Sequence, residues 1–238
     1  MKYFLILVFA VLTACTTTPQ VGDADSPGGQ LGSDAANVQS KHKDLSGSEQ
    51  TAKFDRRYNE LIENVKEGAT LEQFEELRQT YVHTSYYQPY LSAERGLTET
   101  MFAAMEGNDT GTCLEDAQKI LAENYISLNA HFAALVCNTE SGAEKQGDFH
   151  RYVLDGLLEA IWASGDGQST ENAFFCTSTT ELYAFLNLTG YKASGQALVN
   201  SKDGIFDVMT VTELDSGKEV QLYFDVGAMW ARGFRDLD

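Results

Sequence analysis

The sequence predicts an α+β protein, in which an N-terminal array of helices, built like tetratricopeptide hairpins, precedes a small antiparallel sheet with one helix. Two observations support this fold class. From Phe54 to about Trp162, apolar residues recur at three- and four-residue spacing, which is the period of amphipathic helices. After Gly165-Asp166-Gly167 the apolar segments become short and are separated by glycine-containing turns, which is typical of antiparallel hairpins.

Residues 1–14 have the composition of a secretory signal. A lysine precedes an apolar run over residues 4–12, and Leu12-Thr13-Ala14-Cys15 fits the lipobox that the lipoprotein signal peptidase recognises. The apolar run is less than half as long as the roughly 20 residues of a membrane-spanning helix. We therefore predict a signal peptide over residues 1–14, cleavage before Cys15 and acylation of Cys15. The alternative is an ordinary signal with a chance cysteine.

Lipid on Cys15 would hold the protein on a membrane. Residue 16 is Thr and not Asp, which favours the outer membrane, at its periplasmic face, over retention at the inner membrane. Surface exposure is the alternative. Residues 15–50 are rich in Thr, Gly, Ser, Asp and Gln, and this composition predicts a flexible lipidated tether. Residues 51–238 are then sufficient for a single domain with its own core.

Each helix is predicted from its apolar spacing, its cap or the glycine that ends it. The first begins near Phe54 and ends at Gly68, and Thr70 with Gln73 forms a capping box for the second. A loop that contains Pro89 separates the second helix from the third. The later helices are expected over residues 92–105, 112–122, 127–137 and 147–162.

Residues 112–146 have the size of a tetratricopeptide unit, which is two antiparallel helices in about 34 residues. Ala130, Ala134 and Cys137 are small residues with the spacing that lets the second helix of such a unit pack closely. This pattern predicts a tetratricopeptide-like hairpin, with a generic helical hairpin as the alternative.

Short strands dominate the C-terminal part. Residues 173–177 form an apolar segment typical of a strand, and residues 181–188 a helix that ends at Gly190. Three more strands are expected over residues 191–199, 205–212 and 220–226, joined by the turns Lys202-Asp203-Gly204 and Asp215-Ser216-Gly217. We expect these strands to form an antiparallel sheet that packs on the end of the helical array.

The spacing of the cysteines predicts one disulfide. Cys113 and Cys137 lie about equally far from the break near residues 124–126, so an antiparallel hairpin brings the two side chains together. An oxidising envelope compartment favours their pairing, and closing such a loop stabilises by roughly 3 kcal/mol in the chain-entropy model. Cys176 is expected to remain a free buried thiol. The alternative is three separate core cysteines.

Composition excludes several classes of partner and site. The formal net charge is −18, and no Lys/Arg cluster of the kind that follows phosphates is present, so nucleic acid is not expected as a partner. The sequence contains no zinc-ligand spacing, phosphate loop or dinucleotide fingerprint, and no Gly-x-Ser-x-Gly esterase motif. We therefore expect no cofactor and no metal.

Two groups of residues are candidates for a functional site. His131 and His150 fall on adjacent predicted helices and can meet; together with Asp148 or Glu123 they could form an acid–base or metal site, or else be ordinary inter-helix residues. The second group is the tyrosine-rich loop before Leu91. Its residues Tyr86, Tyr87 and Tyr90 either line a groove for peptide or glycan or fix the loop to the helices.

A wider set of residues resembles a known family. The set is Arg78, Tyr81, Tyr87, Pro89, Tyr90, Ala130-His131, Tyr152, Gly165-Asp166-Gly167 and Tyr223-Phe224-Asp225. Together these residues resemble bacterial lipoproteins that carry the domain of unknown function 4919, over roughly residues 54–226. The resemblance implies the extent of the domain and an envelope location, and it brings no catalytic residues. Cys176 stands where an ordinary aliphatic residue is expected, which argues against a family-wide catalytic thiol.

The leading hypothesis from the sequence is a non-enzymatic envelope lipoprotein that binds a partner, an envelope protein or a glycan, through its helical array. The alternative is a periplasmic hydrolase that acts on envelope peptide or glycan, with His131, His150 and nearby acids as its catalytic groups. An enzyme should present a cleft with converging titratable groups, whereas a binding module should expose an aromatic or apolar patch.

Overall fold

The computed structural model describes residues 36–90 and 94–235. The predicted signal peptide, Cys15 and residues 16–35 of the predicted tether lie outside these ranges. The chain divides into two units, Met1–Lys41 and His42–Asp238, and the following description concerns the second.

The described residues form an α+β fold, as the sequence predicts, with helices first and the sheet near the C-terminus. The helices are α1 (Ala36–Glu67), α2 (Leu71–Tyr81), α3 (Glu94–Glu106), α4 (Thr110–Glu123), α5 (Leu128–Glu140), α6 (Glu144–Ala163), α7 (Thr179–Leu188) and α8 (Gly227–Arg235). The strands are β1 (Phe174–Phe175), β2 (Tyr191–Ser201), β3 (Gly204–Glu213) and β4 (Glu219–Asp225).

Helix α1 begins earlier than the apolar spacing predicts. The structure gives α1 as Ala36–Glu67, so residues 42–50 of the predicted tether, which belong to the second unit, are also helical. Apolar periodicity does not detect such an extension, because a helix that is already formed adds further turns at little cost, whatever the apolar spacing of the added residues.

The helix ends follow the polar residues that the sequence places there. The Gln73 side chain accepts a hydrogen bond from the Thr70 backbone N–H at 2.9 Å, which is the predicted capping box of α2. The side chain of Asp109 caps α4, and that of Ser127 caps α5.

The helices α3, α4, α5 and α6 each pack on the next, and α2 packs on α6. Gly156 permits the approach of α2, because a Cβ atom at this position would overlap the ring of Phe74. The hairpin of α4 and α5 is present where the sequence predicts it; its tetratricopeptide-like character stays a prediction.

The predicted disulfide joins Cys113 on α4 to Cys137 on α5, with the two Cα atoms 6.6 Å apart. The equal distance of both residues from the turn therefore identified the pair correctly. Cys176 is a free and buried thiol, also as expected.

The sheet is mixed and not wholly antiparallel. Its order is β1-β4-β3-β2, with antiparallel pairs β2–β3 and β3–β4 and a parallel pair β1–β4. β1 precedes α7 and two strands, so β4 returns beside it in the same direction, as a crossover connection allows. The hairpin turns alone gave no information about β1, which explains why the prediction of an antiparallel sheet was incomplete.

Two clusters of buried apolar residues hold the unit together. The main core lies between α1, α2, α6, α7 and the sheet and is rich in aromatic and large aliphatic side chains, such as Phe74, Phe174, Phe185 and Phe224. The small core lies between α3, α4 and α5. Its buried members are Met101, Ala104, Cys113, Ala117, Ile120, Ala130, Ala133, Ala134 and Cys137.

Candidate functional site

The side chains of His131 and His150 are in contact, as their positions on adjacent predicted helices allow. Both ring nitrogens of His131 are engaged in hydrogen bonds inside the protein. The two Nδ1 atoms are 3.0 Å apart, and Nε2 of His131 lies 2.8 Å from the backbone carbonyl of Tyr125. A carbonyl only accepts hydrogen bonds, so His131 carries its proton on Nε2 and its Nδ1 accepts from the Nδ1–H of His150.

The electrostatics of the pair agree with this tautomer. Burial, and then the neighbouring His150, lower the pKa of His131 to about 3. Burial also lowers the pKa of His150, which is less enclosed. A second proton on His131 would point an N–H at the N–H of His150. His131 is therefore a neutral inter-helix residue and does not act as a general base near neutral pH.

A buried ion pair connects α2 to α7. Nε and Nη2 of Arg78 donate to the two carboxylate oxygens of Glu181 at 3.1 and 3.0 Å, and Nη2 also donates to the carbonyl of Phe175 at 2.8 Å. Both side chains are almost fully enclosed. The backbone N–H and the hydroxyl of Thr177 donate to the same carboxylate at 2.7 and 2.9 Å. The charges are thus satisfied by each other and by the backbone, which is the arrangement of a structural connection.

Tyr87 belongs to the same connection, so of the two interpretations of the tyrosine-rich loop it fits the one in which the residue fixes the loop to the helices, and it does not contribute to an exposed binding surface. Its side chain is fully buried, and its hydroxyl donates to the carbonyl of Thr177 at 2.7 Å. Its ring packs edge-on against Tyr81. A tyrosine in a loop is exposed only if no core lies beneath the loop, and here the main core does.

Cys176 and Glu94 are titratable groups that are enclosed in the interior. Burial, and then the Glu181 carboxylate, raise the pKa of the Cys176 thiol, which keeps it protonated and unreactive. Burial likewise raises the pKa of Glu94, although the Ser127 hydroxyl and the Asn124 amide donate to its carboxylate. Both side chains are buried.

The other two tyrosines of the predicted surface are exposed but lie in different surroundings. Tyr86 is 42% exposed, and its hydroxyl lies 3.4 Å from the amide nitrogen of Asn59 on α1. Tyr90 is 39% exposed and donates to the carbonyl of Met229 on α8 at 3.1 Å. Tyr90 therefore belongs to the C-terminal end of the molecule, next to the sheet.

Near Tyr90 the structure forms an exposed patch that the sequence did not reveal. Its members are Tyr90, Tyr183 on α7 and Leu198 on β2, and we call this patch the aromatic face. Tyr183 is 37% exposed and Leu198 52% exposed. Leu198 is the direct partner of Asp207 across β2 and β3, so both side chains point to the same side of the sheet.

Asp207 is the polar centre of the aromatic face. The hydroxyl of Tyr183 donates to Oε1 of Gln196 at 2.9 Å, and the Gln196 side chain hydrogen-bonds Asp207. Burial raises the pKa of Asp207. Burial, and then the Asp207 charge, raise the pKa of both Tyr90 and Tyr183, so one nearly buried carboxylate lies within electrostatic reach of both phenols. The signal in the sequence was an acid inside the apolar strand 205–209.

A groove of about 410 Å³ lies between the start of α2 and one face of α6. Its apolar lining includes Leu71 and Phe74. Its polar lining comes from α6 and consists of Asp148, Arg151, Tyr152, Asp155 and Glu159. Burial raises the pKa of Asp155; the positive charge of Arg151 opposes this shift, and the negative charge of Glu159 adds to it by less than Arg151 removes. Asp148 thus lines this groove.

Within the ranges that the structure describes, no group of three His, Cys, Asp or Glu side chains is placed to hold a metal ion. The described helices include none that is both long enough and apolar enough to cross a membrane.

Comparison with known proteins gives one match. The family model described as Domain of unknown function (DUF4919) matches residues 47–232, from within α1 to within α8. No curated protein and no solved structure matches the chain. Two of the residues that resemble this family, Arg78 and Tyr87, have a structural role, since they connect α2, its following loop and α7 inside the main core. With most of its length covered by the match, the chain belongs to the DUF4919 family.

Proposed function

We propose that this protein is a non-enzymatic envelope lipoprotein, anchored to the outer membrane by lipid on Cys15, that binds an envelope protein or glycan. The observation that carries the proposal is the aromatic face, where Tyr90, Tyr183 and Leu198 are exposed beside the edge of the sheet. Tyrosine rings offer a large apolar area at low entropic cost and a hydroxyl for hydrogen bonding, which suits both peptide and sugar ligands.

The position of the shifted titratable groups supports binding over catalysis. The strongest shifts belong to buried groups such as His131 and Cys176, which are enclosed by core residues. A catalytic group must reach the proton or atom that it acts on. The exposed aromatic face, in contrast, offers contact area to a partner.

The disulfide supports an envelope location, because structural disulfides persist in oxidising compartments. The anchor itself is tested by Cys15→Ser. We expect this variant to incorporate no radiolabelled fatty acid and to accumulate as unprocessed precursor. Labelling of the variant equal to that of the wild type would contradict the anchor, without bearing on the aromatic face.

Site-specific photo-crosslinking in living cells tests the binding surface. A photoreactive amino acid is placed at Tyr183, Tyr90 or Tyr86, and at Trp162 as a control, because Trp162 is an equally exposed aromatic residue (41%) outside the face. We expect a discrete adduct at the first two positions and none at Trp162. An adduct at Tyr86 but not at Tyr183 would move the surface to the loop, and equal adducts at all positions would overturn the proposal.

The alternative, a periplasmic hydrolase of envelope peptide or glycan, is favoured by one observation. The groove on α6 brings Asp148, Asp155 and Glu159 to one opening, and Asp155 has a raised pKa, as a general acid requires. Asp155→Asn should then abolish release of fragments from isolated envelopes by the full chain, while Glu140→Gln, outside the groove, should not. No release by the wild-type chain would exclude this alternative and leave the binding proposal intact.

A further inference from the structure

Strand β2 is the open edge of the sheet. It pairs with β3 on one side, and no described strand pairs with its other side. A long open edge is a template for pairing with another chain, and proteins usually protect it with charges, prolines or bulges. Here the protection is confined to the first part of the strand, where Lys192 and a register shift between Ala193 and Gly195 lie.

The rest of the strand, residues 196–201, keeps a regular register and contains no charge and no proline. Its outward backbone groups can be assigned from the ladder. The N–H of Val226 donates to the carbonyl of Ile205, so Ile205 directs its backbone groups toward β4. Its partner on β2, Asn200, therefore directs its own groups away from β3. Alternation gives the same outward orientation to Leu198 and Gln196.

These three outward residues make the edge self-complementary. If a second copy approaches antiparallel with Leu198 opposite Leu198, then Gln196 of each copy faces Asn200 of the other. All three pairs are then of the hydrogen-bonded type, which gives about six backbone hydrogen bonds. The paired side chains are leucine with leucine and amide with amide, so no like charges oppose each other.

The charge of the chain also favours this edge as the meeting point. With a formal net charge of −18, two copies repel each other over most of their surfaces. Residues 193–201 carry no charge, so the edge is a place where two copies can approach without a direct charge conflict. A twofold pairing would also bring both aromatic faces to the same side of one continuous sheet, since Leu198 lies on that side in each copy.

We infer that the partner of β2 is a second copy of this chain, paired antiparallel about Leu198. Strand pairing alone buries little surface, so the dimer forms where copies are concentrated and dissociates on dilution. The inference concerns self-association and does not depend on the envelope partner proposed above.

Cysteine cross-linking in the full chain tests the register. In a hydrogen-bonded pair the Cα atoms are about 5.5 Å apart, within the range of a disulfide. Leu198→Cys should therefore form a disulfide-linked dimer on mild oxidation at least tenfold faster than Leu214→Cys. Leu214 is the matched control because it is similarly exposed, at 49% against 52%, and lies outside β2.

The proposed register also predicts which pairs of positions can cross-link. Gln196→Cys alone should not cross-link, because its partner position is residue 200, whereas Gln196→Cys with Asn200→Cys should. Adding Leu198→Pro to the double variant should abolish the cross-link. This proline removes only an outward N–H and leaves the ladder to β3 intact, which far-UV circular dichroism and an unchanged melting temperature would confirm. Equal rates at positions 198 and 214, or equal cross-linking by Gln196→Cys alone, would overturn the inference.

Discussion

The two cores of this protein are stabilised by different kinds of residues. The main core buries large aromatic and aliphatic side chains, and it also encloses the charges of Arg78 and Glu181. In the small core, five of the nine buried residues are alanine and two are the disulfide cysteines. Each alanine buries little more than a methyl group, and hydrophobic stabilisation is about 0.8 kcal/mol per buried CH₂. The small core therefore depends on a covalent bond for what the main core obtains from side-chain area.

In this protein, therefore, a buried ion pair or disulfide does not mark a functional site. The buried Arg78–Glu181 ion pair joins helices in the main core, and the disulfide joins helices in the small core. Both serve to hold elements together. The surfaces that are candidates for function, the aromatic face and the groove, lie at the periphery of the main core and none lies over the small core.

The largest loss of stability is expected when one charge of the buried ion pair in the main core is removed. Glu181→Ala leaves the Arg78 guanidinium enclosed with carbonyl partners only, and loss of one partner of a buried pair costs about 3–5 kcal/mol. Urea unfolding of the variant and the wild type measures this difference. The double variant Arg78→Met with Glu181→Leu should recover most of the loss, because no unpaired charge remains.

The half-exposed pair of Arg57 with Glu76 supplies the control. Arg57→Ala should cost less than about 1 kcal/mol, as for other solvent-exposed ion pairs. A cost for Glu181→Ala as small as that of the control would mean that water reaches the Arg78 site, and the enclosure argued above would then be wrong.

The small core is broken by removing its disulfide. The cysteines are 24 positions apart, and opening a loop of this size should cost roughly 3 kcal/mol in the chain-entropy model. Cys113→Ala with Cys137→Ala, or reduction of the wild-type protein, should therefore lower the free energy of unfolding by about that amount. Mass spectrometry after alkylation of the unfolded protein without reductant counts the free thiols.

Cys176→Ala is the matched variant, since Cys176 is a buried cysteine of the main core without a disulfide. Its stability should remain sensitive to reductant by the same amount as that of the wild type. If reduction leaves the unfolding of the wild type unchanged, the small core is sufficient by itself and the comparison of the two cores fails.

The stability of the protein at acidic pH tests the packing of α5 on α6, because the histidine pair lies between these two helices. The pKa of His131 is about 3 in the folded protein and about 6.5 in an unfolded chain. Between these values the unfolded state binds the proton and the native state does not. Stability from this group is therefore fully present above pH 6.5 and falls as the pH decreases toward 3. From pH 7 to pH 5 the loss is about 2 kcal/mol.

Carboxyl groups with raised pKa, among them Glu94 and Asp207, act in the opposite direction, because their native forms hold protons more tightly than the unfolded chain. The readout is therefore the difference in slope between the wild type and His131→Gln, and not the wild-type profile alone. Parallel profiles for the two proteins between pH 7 and pH 5 would show that His131 takes up a proton in the folded state.

Local patterns in the sequence predicted most of the fold. Helical spacing, the capping box at Thr70 and the distances of Cys113 and Cys137 from their turn are each determined within one or two elements. The parallel pairing of β1 and the burial of Tyr87 depend on contacts between residues far apart in the chain, such as the bond from Tyr87 to Thr177. No local pattern carries that information.

The candidate site shows the same limit. The sequence indicated that His131 and His150 could meet, because they fall on adjacent predicted helices, and their Nδ1 atoms lie 3.0 Å apart in the structure. The aromatic face was not predicted, since Tyr90, Tyr183 and Leu198 come from a loop, a helix and a strand. Only the position of Asp207 within an apolar strand could have drawn attention to it.

Two helical glycines, one near each core, give the smallest expected changes in stability. In the small-core region, Gly96 of α3 has open space where a Cβ atom would lie. Gly96→Ala should therefore stabilise the protein by about 0.5–1 kcal/mol, because alanine restricts the unfolded chain and favours the helix.

In the main core, Gly156 of α6 has the Phe74 ring at the position where a Cβ atom would lie. Gly156→Ala should have the opposite sign, since the ring has to move within a packed interior. Thermal unfolding of both variants measures the two signs. If both substitutions stabilise the protein, the Phe74 ring is not packed against Gly156 as closely as the structure indicates.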